Sequence, residues 1–151
     1  MPERRSLRFF RFDEIMPEVD RLIAGGHRTV GEWSLGRICN HLASAIQWSV
    51  EGSPVLLPWP IRFWLGPVAK RWTFKHERLP FRIKLPAKMV PKENVDDRAE
   101  AEALRATIAY YLAHPSKRAI HPIFGRLSHE EWYRLHLLHS AHHLGFVLPG
   151  A

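Results

Sequence analysis

The chain has 151 residues, 46% of them apolar, and a net charge of +7. That length and apolar content fit one domain, residues 1–151, around one core, and they exclude a disordered chain. The single cysteine, Cys39, excludes an internal disulfide and points to a reducing cytoplasm; no stretch reaches the roughly 20 apolar residues of a membrane span.

Met1-Pro-Glu-Arg-Arg leads into alternating Arg and Phe, without the continuous apolar core of a signal peptide. A first helix is expected from Asp13 to Ala24. Phe12, Ile15, Val19 and Leu22 recur on one face, Asp13 can cap the start, and Gly25-Gly26 ends it. A second runs from Ser34 to Val50, with Leu35, Ile38, Cys39, Leu42, Ile46 and Ser49 as its buried stripe. Gly52-Ser53-Pro54 stops it.

A connection of about 40 residues follows, too long for an ordinary turn. Its seven prolines (54, 58, 60, 67, 80, 86 and 91) argue against a long helix. Its aromatics, Trp59, Phe63, Trp64, Trp72, Phe74 and Phe81, argue against disorder. It is expected to pack over the helices, with a short helix near Ile61–Trp72. From Ser53 to Pro91 it carries Arg62, Lys70, Arg71, Lys75, Arg78, Arg82, Lys84 and Lys88 against Glu77 alone, so it accounts for the whole charge excess. Such a patch can attract nucleic acid, anionic lipid or an acidic small molecule, or can simply be a solvated loop.

A third helix is expected from Asp96 to Ala113, with Ala101, Leu104, Ile108 and Tyr111 on one face and acids at its start. The fourth is expected from His129 to Val147. Ser128-His-Glu-Glu131 reads as a capping box.

That last helix holds His136, His139, His142 and His143, and no Asp, Glu, Lys or Arg follows Arg134. Imidazoles on a helix apolar enough to be buried need partners. His139 and His143 stand at i, i+4 on the stripe of Trp132, Leu135 and Phe146, a spacing that lets two nitrogens meet one metal ion. The segment lacks a zincin glutamate, so protease chemistry is not supported. The best third ligand is His41, on the flank of the second helix. Competing readings are hydrogen-bonded core histidines, an interface or a pH-sensitive contact. His27, His76, His114, His121 and His129 fall in loops or at helix ends and read as surface residues.

Trp33-Ser-Leu-Gly-Arg-Ile-Cys-Asn-His41-Leu resembles the second-helix motif of DinB-like proteins, and His139-Ser-Ala-His142-His143-Leu-Gly-Phe resembles their last-helix motif. The Arg-Arg-Ser-Leu-Arg-Phe-Phe opening and the Pro-Trp-Pro segment resemble one branch catalogued as a domain of unknown function, family 1569. The resemblance covers nearly the whole chain. It implies an all-α four-helix bundle, up-down-down-up, with a long Pro/Trp-rich crossover between helices two and three. It also implies a divalent-metal site of three histidines, carried here onto His41, His139 and His143. Better-understood relatives transfer or isomerise with low-molecular-weight thiols. Where the family has an Arg-Gly-Gln-like run after its second histidine, this chain has Leu-Gly-Phe.

Three imidazoles and an open position would suit a metal-dependent transferase of small molecules, the metal presenting a thiolate or a water. Imidazole suits Zn, Ni, Fe or Cu; Zn or Ni is the expectation. His136 and His142 are the nearest acid/base candidates. Arg62, Lys70 and Arg71 are candidates to hold the carboxylates of an acidic thiol cofactor. Cys39, among Leu35, Leu42 and Ile46, reads as core rather than as nucleophile. The alternative function is a non-catalytic module binding nucleic acid or an anionic membrane through residues 53–91. A homodimer would follow if the second apolar side of the last helix, Tyr133, Leu137, Leu144 and Leu148, met another copy. The same side could instead be covered within the chain.

Overall fold

The computed structural model describes residues 3–79 and 84–151. Met1 and Pro2 of the opening, and Pro80, Phe81 and Arg82 of the connection, lie outside the described residues. The fold is predominantly helical. Five α-helices are described: α1 Ile15–Gly25, α2 Leu35–Glu51, α3 Trp59–His76, α4 Asp97–Ala113 and α5 His129–Leu144. Two short strands, β1 His27–Thr29 and β2 Val147–Pro149, pair antiparallel with Thr29 opposite Val147.

The helix starts follow their caps. Ser34, Asp96 and Ser128 each accept a hydrogen bond from a backbone N–H three residues on, at Arg37, Ala99 and Glu131. Only half of the expected capping box forms at α5. Glu131 turns away from Ser128 and pairs with Lys70 Nζ at 3.1 Å. A 3-10 turn, Phe12–Glu14, leads into α1. Pro17 falls in the first turn of α1, where its missing N–H costs nothing. Gly26, at φ 76°, ends α1 in a backbone region that other residues rarely adopt.

The core forms where α2 lies along α4, with α1 against α4 and α5 against α2. Ile15, Val19 and Leu22 of α1, Leu35, Ile38, Leu42 and Ile46 of α2, and Leu104 and Tyr111 of α4 are all buried there. Each aliphatic side chain removed from water so completely contributes about 1.5–3 kcal/mol. Leu137 and Leu144 of α5 join this core, and Tyr133 packs against it. The opposite side of α5, Trp132 and Leu135, packs with Phe124 and Leu127 in a second cluster, under Ala69 and Phe74 of α3. Both apolar sides of α5 therefore find partners within the chain.

Two expectations are corrected. The connection holds an 18-residue helix, not a short one. Pro60 sits in its first turn. Pro67 removes one hydrogen bond, to the Phe63 carbonyl, but both residues are exposed, where water replaces it. The last helix ends at Leu144 rather than Val147, because Val147 is drawn into the strand pair.

The contact of α3 with the loop before α5 depends on Gly66. A Cβ there would lie 2.9 Å from the Phe124 carbonyl oxygen and 3.0 Å from that of Ile123. Gly66→Leu is expected to lower stability by about 1–3 kcal/mol, because overpacking outweighs a helix-propensity gain of at most about 1 kcal/mol. The thermal midpoint followed by circular dichroism should fall by several degrees. A rise would mean that α3 does not seat on this backbone.

Candidate metal centre

His41 projects from α2, and His139 and His143 lie one turn apart near the C-terminal end of α5. The packing of α2 against α5 brings them together. His41 Nε2 lies 3.0 Å from His139 Nε2, and His143 Nε2 lies 3.1 Å from the same atom. The three donor atoms all fall within 4.8 Å of one another. Two imidazole nitrogens on a tetrahedral ion at about 2.0–2.1 Å would stand about 3.3 Å apart, so the spacing fits a metal.

The chemistry of the donors also fits. A neutral imidazole nitrogen carries either one proton or one lone pair. His139 Nε2 faces two other Nε2 atoms and can serve only one of them fully by hydrogen bonding. An ion shared by three lone pairs removes that conflict. Burial favours the required neutral state. It pulls His41 down to about 4, helped by His142. It also lowers His139 and His143 well below the ordinary histidine value, with the neighbouring imidazoles adding to the effect. All three therefore present lone pairs at neutral pH. His41 Nδ1 is buried without a partner among the described residues, so packed rings, not an acceptor, set that side chain's orientation.

Trp33, immediately before the Ser34 cap, supplies much of this packing. Its ring stacks on His143 with centroids 5.5 Å apart and planes at 14°, and it lies 5.1 Å from His41. The Arg37 guanidinium sits over the same indole at 5.7 Å. Arg4, from the other end of the sequence, places Nη1 2.9 Å from His142 Nδ1 and lies over Phe146. Arg4 can only donate, so His142 accepts at Nδ1 and, when neutral, carries its proton on Nε2. Arg5 fixes this segment: its N–H donates to the Gly145 carbonyl at 2.8 Å, and its Nε donates to the Val147 carbonyl. A Cβ at residue 145 would lie 2.7 Å from the Arg5 carbonyl oxygen, so the glycine after His143-Leu is what lets the segment approach. In the sequence Trp33 stands only within the motif that precedes His41, and Arg4 stands in the Arg-rich opening. Neither has a local signal for its role, since Arg4 and His142 are 138 positions apart.

The remaining candidates separate. His136 is buried on the core side, with Nε2 2.9 Å from Ser49 Oγ and its ring among Phe12, Tyr111 and Trp132. Burial lowers it to about 3. Cys39 is fully buried, and its thiol is pushed up to about 12 by burial and then by Asp97 and Glu100, so it remains a protonated core residue. Lys70 is spent on Glu131 in the first turn of α5, about 12 Å along the helix from His139. Arg62 Nε donates to the Leu57 carbonyl, and Arg71 is exposed on α3. His76 and His129 are exposed as expected. His27, His114 and His121 are half-buried instead. His27 Nε2 lies 3.1 Å from Asp97, and His121 Nδ1 accepts from the N–H groups of Ile123 and Phe124.

The fold and site thus define a mostly helical protein with three histidines close enough to bind a metal ion. The chain belongs to the family described as "Protein of unknown function (DUF1569)", whose model matches residues 1–150. No curated protein and no solved structure matches it.

Proposed function

We propose that the protein is a DinB-like metal-dependent enzyme acting on small molecules, with thiol transfer as its reaction class. In this reading α1, α2, α4 and α5 are the four helices of an up-down-down-up bundle, and α3 occupies the crossover. The observation that carries it is the convergence of the His41, His139 and His143 Nε2 atoms at metal-ligand spacing. Three protein nitrogens leave a position open, as catalytic rather than structural sites do. A divalent ion held there, Zn or Ni by preference for imidazole, supplies Lewis acidity that favours the deprotonated form of a thiol or water.

The chain's own groups do the rest. Desolvation keeps the three imidazoles neutral and available. Trp33 holds His143 in plane and excludes water from one side. Arg4, donating to its Nδ1, fixes the orientation of the His142 ring beside the three histidines. An open depression of about 550 Å³ lies on the Arg4 side, lined by Glu3, Arg4, Arg5, Arg28, Val30 and Leu148. Arg4, in contact with His142, is better placed than Arg62, Lys70 and Arg71 to hold a carboxylate of an acidic thiol. In the transfer, the thiol gives its proton to water, sulfur forms a bond to the electrophilic carbon, and the bond from that carbon to the leaving group breaks, the leaving group departing with the electron pair and taking a proton from water.

Cobalt(II)-loaded protein tests the thiol step. Adding a low-molecular-weight thiol should produce a sulfur-to-metal charge-transfer band in the near ultraviolet. If the visible cobalt bands appear but no thiol produces that change, the site binds metal and the thiol reading is wrong.

A further inference from the structure

We propose that α3 is an interfacial helix that docks the protein on an anionic lipid surface. The helix is inside out. At about 100° per residue, Trp64, Val68, Ile61, Trp72 and Leu65 fall within roughly 100° of arc. All five are exposed, Trp64 by 73% and Val68 by 66%. The other side carries Gly66 and Thr73, the buried residues of α3, together with Trp59 and Phe63, which are 69% and 63% exposed, so apolar surface is left in water on both sides of the helix. A soluble helix does the reverse, and a contiguous apolar face left in water marks a surface that meets something else.

The charges select the partner. Arg71 lies beside the apolar arc and Lys75 within its span, one turn further on; both are exposed, and α3 contains no Asp or Glu. Exposed aromatic and aliphatic residues interspersed with Lys and Arg, with no acids, suit a helix that lies in an anionic bilayer interface. A second copy fits less well, because its α3 would bring more cations and no carboxylate to receive Arg71 and Lys75. Nucleic acid also fits less well, because Ile61, Leu65 and Val68 neither stack on bases nor pair with phosphate. No helix among the described residues is long and apolar enough to cross a membrane, so α3 would lie in the interface. It is also held ready. Besides Gly66 on the 123–124 backbone, Lys70 pairs with Glu131, and the Arg134 guanidinium sits over Phe74 at 4.8 Å. The outward face therefore needs no rearrangement to be presented.

Flotation of the metal-loaded full chain with vesicles tests this independently of the histidines. Binding is expected to vesicles of phosphatidylcholine with phosphatidylglycerol, to fall at high salt, and to be absent with phosphatidylcholine alone. Arg71→Gln with Lys75→Gln should weaken partitioning about thirtyfold. Trp64→Ser with Val68→Ser should abolish it. Both pairs should retain the wild-type circular dichroism and metal content. Three results would each overturn the proposal. One is no flotation with either vesicle. Another is a dimer in sedimentation that Trp64→Ser with Val68→Ser breaks, without vesicle binding. The third is oligonucleotide binding that depends on Arg71 and Lys75 but not on Trp64 and Val68.

Discussion

Metal-free protein is expected to lose most of its stability in mild acid, as the pH falls from about 6.5 toward 4. Burial lowers His41 to about 4 and His121 and His136 to about 3 in the folded state, while an ordinary histidine titrates at about 6.5. Below pH 6.5 the unfolded chain therefore binds more protons than the folded one, and stability falls as the pH drops through that window. Above it, these groups contribute no slope. Each such histidine costs up to about 1.4 kcal/mol per pH unit, so three together approach 4 kcal/mol per unit against a total of about 5–15 kcal/mol. His139 and His143 shift in the same direction and steepen the fall. Urea midpoints measured from pH 7.5 to 4.5 should therefore decline steeply. His136→Gln, which cannot take up the proton, should decline less steeply than wild type. Saturating Zn should move the whole limb to lower pH, because protons and metal compete for the same lone pairs. A flat profile down to pH 4.5 would show that these imidazoles are solvated rather than buried.

Replacing a single ligand should weaken metal binding far more than it weakens the fold. Apparent binding energies of about 10–16 kcal/mol for four-ligand zinc sites correspond to about 3 kcal/mol per ligand. His41→Ala and His143→Ala should each lower Zn affinity by at least about a hundredfold in a competition with a chromophoric chelator. The two would fail differently in the metal-free state. His41 is buried and its Nδ1 has no partner, so its removal relieves an unsatisfied polar group while opening a cavity, and stability should change little. His143 is half-buried and stacked on Trp33, so its loss frees the indole and should raise Trp33 mobility. Equal Zn affinity in either variant and wild type would remove that residue from the site.

Much of this was legible in the sequence, because it rests on local rules. Ser128 announced the start of α5 through cap chemistry, whereas Asp13 caps no helix: it pairs with Arg11, and α1 follows a 3-10 turn with Glu14 at its cap position. The stripes of α1, α2 and α4 predicted the buried residues because one face of each helix meets one core. The i, i+4 spacing of His139 and His143 announced two ligands, and His41 followed from its place on the flank of α2. What the sequence hid depends on distant packing. The prolines of α3 read as helix breakers, yet one lies in the first turn and the other is exposed where water replaces the lost bond. His136 looks like its neighbours on paper, but its position on α5 turns it toward Ser49 and the core. Arg4 has no local signal. It reaches His142 because Arg5 beside it is held against Gly145 and Val147.

If His41, His139 and His143 form one metal site, removing one donor should empty it. Metal content by mass spectrometry on tag-free protein, wild type beside His139→Ala, tests it most directly, since His139 Nε2 is the atom that both other donors face. Near-stoichiometric metal in the wild type, lost in the variant with its helical content intact, is the result expected. A wild type that holds no metal even after reconstitution with Zn or Ni, or a variant that holds as much as the wild type, would contradict it.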